Sequence, residues 1–242
     1  MKQSQGYVIL YACILTLVCG SLLALAAEGL KKRQNVNIAL EKKASILNTA
    51  MDLKESDDVN TIYDERVKSY VIDHDGNLME GKKADEVEIE KEYKKEPKDR
   101  LYPVYEVLDE QKKDILSYVL PVYGYGLWDN IWGYVAIQGD GNTVNGVIFD
   151  HEAETPGLGA RITDAEIQKR YEGKHIYKGK EILGIAMQKG EQGGGDKSIA
   201  FYADDPHKVD GMSGATITGN GLTKMLQEYL SAYKNFLDDK RG

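Results

Sequence analysis

Residues 7–27 read YVILYACILTLVCGSLLALAA, 21 consecutive positions without a charge. That is the length a helix needs to cross the hydrocarbon core of a bilayer. Whatever folds downstream is then tethered at its N-terminal end. A buried core helix of such purity is a poor rival. A cleaved signal peptide is the real one, because the small residues of ALAAE, ending at Glu28, offer a cleavage-like spacing. Against cleavage, only Lys2 precedes the run, which also outlasts an ordinary signal-peptide core. The expectation is a short tail at 1–6 and a retained anchor at 7–27. Lys31, Lys32 and Arg33 follow the span, so a count of basic residues alone places the large domain inside.

After the anchor, KKRQNVNIALEKKASILNTAM (31–51) carries Val36, Leu40, Ala44, Leu47 and Met51 at roughly helical spacing and reads as a helix leaving the membrane. Residues 82–100 mix seven acidic and seven basic side chains, the signature of a solvated helix or connector. The stretch 28–100 is accordingly expected to be a helical, charged connecting region. At 101 the texture changes. ILSYVLPVY (115–123), WGYVAIQ (132–138) and TVNGVIF (143–149) are rich in Val, Ile and aromatics, and GDGN between the last two is a hairpin turn signal. ILGIAM (182–187) and SIAFY (198–202) read as further strands around the Gly-rich loop KGEQGGGDK. From Leu222 onward, Met225, Leu226, Tyr229, Leu230, Tyr233, Phe236 and Leu237 mark a helix with a wide apolar face, starting near residue 219. The predicted fold is α+β, an antiparallel or mixed sheet with flanking helices over 101–237, ending in a tail at 238–242.

Several functions are excluded. The net charge is −8 and no basic stripe carries interleaved aromatics, which argues against a nucleic-acid surface. Cys13 and Cys19 both lie in the apolar run, so the domain can hold neither a disulfide nor a thiolate zinc or iron–sulfur site. Ser213 sits outside any G-x-S-x-G elbow. His74, His151, His175 and His207 are scattered without a ligand pair; His207 alone invites interest, three residues before Asp210 and able to face the same site.

That site is DGMSGATITGNGL (210–222), where Ser213, Thr216 and Thr218 crowd together ahead of a helix. Capping accounts for one hydroxyl, not for a glycine-punctuated cluster. A helix N-terminus also offers free N–H groups and a positive dipole end, which suit a phosphate. Gly214 and Gly219 would let a phosphate approach, and a hydroxyl could bind it or be esterified by it. Two further stretches stand out. EAETPGLGARI (152–162) fixes a tight loop after a strand, with amides free to face a ligand. YGYGLWDNIWGY (123–134) sets glycines around Trp128.

Together these stretches resemble the FMN-binding domain of the C subunits of sodium-translocating NADH:quinone oxidoreductases. DGMSGATIT matches the family's flavinylation motif, D-x-x-[S/T]-G-A-T-x-T, and ETPGLG matches its loop beside the flavin. GLWDNIWGYVAI and DGNTVNGVIF continue the match, and the anchor with NIALEKKASIL resembles the family's N-terminal pattern. The resemblance implies that Thr216 is esterified through the FMN phosphate by a separate flavin transferase. It makes Asp210, Ser213, Gly214 and Ala215 the recognition sequence, with Thr218 closing the motif. Glu154, Thr155, Gly157, Leu158 and Gly159 would line the flavin, with Trp128 nearby; His207 stays a candidate on its position alone. It further implies a subunit that relays electrons through FMN among membrane partners, coupling NADH oxidation and ubiquinone reduction to Na+ export. The flavin domain would then be periplasmic on a single-pass inner-membrane anchor, against the charge count above. The G subunit of the ion-translocating ferredoxin:NAD oxidoreductase shares S-G-A-T and E-T-P-G-L-G and is the alternative. A cofactor-free, membrane-anchored assembly protein is the alternative of a different class.

Overall fold

The structure, a computed structural model, describes residues 4–194 and 197–241. It divides into a unit ending at Lys43 and a second unit beginning at Ala44. Helix α1 (Gln5–Ala50) supplies the first as far as Lys43, and its last residues, from Ala44, belong to the second. Its apolar stretch, of mean hydropathy 2.5, is long and apolar enough to cross a membrane and has none of its surface buried. The anchor and the 31–51 segment, read as two helices, form one, because no proline interrupts the good helix formers between them.

The second unit is built on a five-stranded antiparallel meander in the order β1-β2-β3-β4-β5. Helix α2 (Val59–Arg66) runs directly into β1 (Val67–Ile72), and a short α3 (Ile89–Tyr93) precedes β2 (Tyr102–Leu108). The remaining strands are β3 (Ile115–Tyr125), β4 (Asn130–Gln138) and β5 (Val144–His151). The β4–β5 hairpin turns where GDGN predicts it. Asp140 Oδ1 accepts the N–H groups of Asn142 and Thr143, both at 2.8 Å, so the side chain substitutes for ladder bonds at the turn.

Both faces of the sheet are covered, which is why its strands read as near-continuous apolar runs. Tyr102, Val104, Leu120, Val122, Ile131 and Val135 bury one face. The alternate positions Tyr105, Val107, Val119 and Ala136 bury the other. The first face receives helix α6 (Thr216–Ala232) through Leu222, Met225, Leu226, Tyr229 and Leu230. The second receives Ile46, Leu47 and Ala50 from the end of α1, with Tyr63 and Ala84. Asn145 Nδ2 locks this layer by donating to the Ala50 carbonyl at 2.6 Å.

Three expectations are corrected here. Residues 44–100 are not a connector outside a domain that starts at 101. They supply one edge strand, with Val67 opposite Val107, and the second covering layer. Charged exposed positions conceal the few buried ones that do this. The run ILGIAM splits at Gly184 (φ +71°) into β7 (Glu181–Ile182), paired with β6 (Tyr177–Lys178), and β8 (Ala186–Met187). SIAF of SIAFY falls in helix α5 (Lys197–Phe201) and Tyr202 in the turn after it, instead of a strand; five residues are too few for periodicity to choose between the two. Short α4 (Ala165–Lys169), β9 (Lys208–Val209) parallel to β8, and α7 (Lys234–Asp238) complete the unit.

Candidate functional site

Helix α6 begins at Thr216, three residues before the expected position, and its N-cap is Ala215, which makes no side-chain cap bond. The capping reading of the hydroxyl cluster therefore fails. The first ladder bond runs from Gly219 N–H to the Ala215 carbonyl at 3.0 Å. The N–H groups of Thr216, Ile217 and Thr218 lie ahead of it, at the positive end of a 17-residue helix. Thr216 is half-buried, Ser213 and Gly214 are exposed, and Ile217 is 56% exposed. Gly214 holds φ +74°, which an L side chain rarely adopts, and this turn delivers the chain into α6.

The other two stretches come to the same place through one carboxylate. Glu154, 4% exposed, accepts the N–H groups of Leu127 (2.7 Å) and Trp128 (2.9 Å) on Oε1. Its Oε2 accepts the buried Thr218 hydroxyl at 2.6 Å. A Cβ at Gly126 or at Gly159 would land on this carboxylate, so both glycines are demanded by its proximity. Burial alone would raise the Glu154 carboxyl. The bonds from Thr218, Trp128 and Leu127 outweigh it and lower the carboxyl below its ordinary value, so it stays ionised.

Above this buried anchor lies an exposed apolar surface. Trp128 is 68% exposed, and its Nε1 donates to Thr155 Oγ1 at 3.1 Å. Leu158, 41% exposed, sits so close to the turn that a Cβ at Gly214 would meet its Cδ2 at 2.8 Å. Thr155 and Gly157 are exposed beside it, Gly157 with φ +74°, and Gly159 is buried beneath.

The structure thus brings Trp128, Glu154, Thr155, Leu158, Gly159, Gly214 and Thr218 together, next to Thr216. Two other predicted residues take different places. Asp210 is fully buried, and its carboxylate accepts N–H groups from Gln192 (2.9 Å), Gly193 (2.8 Å) and Gly211 (3.0 Å). His207 is not brought into this group; its Nδ1 sits 2.9 Å from the His175 carbonyl. Sequence reasoning missed the exposed Tyr125, Leu127 and Ile217, as well as the Glu154–Thr218 bond. Gly124 and Gly126, on either side of Tyr125 and before Leu127, are a local signal for those two.

Known proteins resemble this chain over most of its length. The family described as "FMN-binding domain" matches residues 126–231, a range that begins at Gly126 and contains Thr216. The C subunit of the Na(+)-translocating NADH-quinone reductase of Haemophilus ducreyi is 31% identical over 236 residues, spanning 91% of this chain and 88% of that protein. Its counterpart from Neisseria meningitidis serogroup A is 30% identical, with coverage of 91% and 88%. A crystal structure of the counterpart from Parabacteroides distasonis superposes with a TM-score of 0.70 at 30% identity, covering 86% of this chain and 96% of that one. On this sequence likeness along its length and this shared fold, the chain belongs to the family of C subunits of the Na(+)-translocating NADH-quinone reductase.

Proposed function

We propose that this chain carries FMN as a phosphoester of Thr216 and serves as an electron-relaying subunit of a sodium-exporting NADH:quinone oxidoreductase. The observation that carries the reading is the juxtaposition of a half-buried hydroxyl, uncapped helical N–H groups and an exposed aromatic–aliphatic surface. These residues fit the group. A phosphodiester at Thr216 would keep one negative charge, which the uncapped N–H groups and positive end of α6 would favour. Trp128, hydrogen-bonded to Thr155, and Leu158 offer apolar area of the kind a flat heteroaromatic ring covers. When bound, the flavin supplies the redox chemistry, accepting and returning electrons. The chain's own residues hold it: Glu154 pins the Trp128 loop to α6, and Gly214 sets the turn that presents Thr216.

Family membership supports the remaining proposals. Other subunits of the complex take the electrons onward, a flavin transferase attaches the FMN, and α1 anchors the chain in the inner membrane by a single pass. The flavin domain is then periplasmic. Intact-mass measurement of the protein purified from cells that hold the transferase tests the central claim. The expected mass gain is that of FMN less water, accompanied by a fluorescent band in a denaturing gel. Thr216→Ala should lose both, Thr216→Ser should retain some label, and Ser213→Ala should retain most of it. Full labelling of Thr216→Ala would show that another residue is the acceptor.

A further inference from the structure

Arg170 directly follows α4, and its side chain is wholly withdrawn from solvent. A buried cation is costly unless its donors are met. Two of its bonds go to backbone at the head of the acceptor motif: Nη1 donates to the carbonyls of Gly211 (2.6 Å) and Asp210 (3.2 Å). Nη2 donates to Glu166 (2.6 Å) and Glu191 (2.7 Å), and Arg161 also holds Glu191, at 3.0 and 3.1 Å. From the other side, the Asp210 carboxylate gathers the N–H groups of Gln192 and Gly193. The glycine-rich loop and the start of the motif are thus closed on each other around one guanidinium.

Beyond the clamp the chain has little freedom before the acceptor. Met212 is 1% exposed, Ala215 N–H returns to the Met212 carbonyl at 3.3 Å, and α6 starts at the next residue. Asp210 and Thr218 are 0% and 1% exposed. An enzyme meeting the folded domain can touch Ser213, Gly214, Thr216 and Ile217, but neither of those side chains.

We propose that Arg170 is a positioning residue for attachment of the flavin. By clamping the Asp210 and Gly211 carbonyls it sets the turn that aims Thr216 Oγ1, and Asp210 acts through this clamp instead of being read by the transferase. The proposal rests on Thr216 being the acceptor. In the step itself, Thr216 Oγ1 attacks the FMN phosphorus of a flavin dinucleotide. One P–O bond forms, the phosphoanhydride bond breaks, and a nucleoside monophosphate leaves. The hydroxyl proton passes to a base on the transferase or to solvent, and no redox change occurs. Such a displacement depends on the attacking oxygen standing in line with the leaving one, and a misplacement of about 1 Å costs on the order of a hundredfold in rate.

The test uses the full-length chain with transferase and flavin dinucleotide, following covalent flavin by in-gel fluorescence and intact mass. Arg170→Met, Arg170→Lys, Asp210→Asn and Thr216→Ala are compared, with rates scaled to the folded fraction seen in near-UV circular dichroism. Arg170→Met should slow transfer at saturating carrier by roughly tenfold or more, with KM for the carrier within about twofold. Arg170→Lys should recover part of the rate, and Asp210→Asn should also lose kcat instead of raising KM. Wild-type rates in folded Arg170→Met, or an Asp210→Asn defect lying in KM, would overturn the proposal. If Arg170→Met does not fold, Arg170→Lys decides with amide exchange added. Slower transfer together with faster exchange over 190–194 and 210–216 supports the clamp, and wild-type behaviour in both refutes it. Full labelling of Thr216→Ala would refute the acceptor assignment and overturn with it the positioning role of Arg170, whereas wild-type rates in Arg170→Met overturn that role alone.

Discussion

The Thr218 hydroxyl donates to Glu154 Oε2 across 2.6 Å and joins the first turn of α6 to the loop after β5, 64 residues earlier. Because Oε1 of the same carboxylate holds the Leu127 and Trp128 amides, one buried anion binds three segments that are distant in sequence. Neither side chain is free to touch a ligand. Their part is to hold exposed Trp128 and exposed Leu158 at one end of α6, beside Thr216.

This bond should be measurable as a coupling. Thr218→Val removes the donor and leaves Oε2 unpaired in the interior. Glu154→Gln replaces one acceptor oxygen by a donor facing other donors. Each should cost about 1–3 kcal/mol in urea unfolding. The double variant should cost less than the sum, with a coupling between about 0.5 and 3 kcal/mol. Strict additivity would show that the two groups do not act on each other.

Acid should act through Glu191. The Arg161 guanidinium, opposed by burial and helped by Arg170, holds its carboxyl at about 2, down from 4.5. A carboxyl lowered in the folded state contributes stability that is complete above its unfolded value and is lost as pH falls toward the folded one. The contribution is on the order of 3 kcal/mol, from about 1.4 kcal/mol per decade. The stability gap between wild type and Glu191→Gln should therefore shrink as pH drops from about 5 to about 3. Denaturant midpoints across that range check it; a gap independent of pH would assign the loss to packing.

Trp128 and Thr155 should separate electronics from attachment. Trp128 is 68% exposed and its indole N–H is held by the exposed Thr155, so Trp128→Ala and Thr155→Ala should each move stability by less than about 0.5 kcal/mol. Both should keep covalent FMN at wild-type levels yet shift its midpoint potential and its fluorescence yield. Loss of attachment comparable to Thr216→Ala would mean that this loop serves the transferase and not the flavin.

For α1 the expected outcome is retention in the membrane fraction after a high-salt wash, with the amino terminus uncleaved. The reason is the exposed, uncharged surface of 7–27, whose burial in lipid no ionic wash can reverse. Mass-spectrometric detection of a soluble chain starting near Glu28 would reverse that expectation.

What the sequence determined by itself is what short-range chemistry dictates. An uncharged run of 21 residues can be read without knowing any neighbour. The hairpin at Asp140 is closed by that residue's own side chain, and α6 declares its buried face at every third or fourth position. The turn at Pro156 and Gly157 was legible for the same reason, since turns need glycine and proline locally. Tertiary structure decided whatever depends on a partner far along the chain. Residues 46–87 carry too few apolar positions to announce a layer, and they become one because β2 and β3 present a second apolar face to them. The short run at Lys197–Phe201 had no periodicity strong enough to choose its own state. Thr218 and Asp210 enter the predicted site as members of a motif, and a motif does not say which way a side chain turns. Glu154 turns the first inward, and the amides of Gln192 and Gly193 turn the second, because a buried polar group must find its hydrogen bond wherever the fold has placed one.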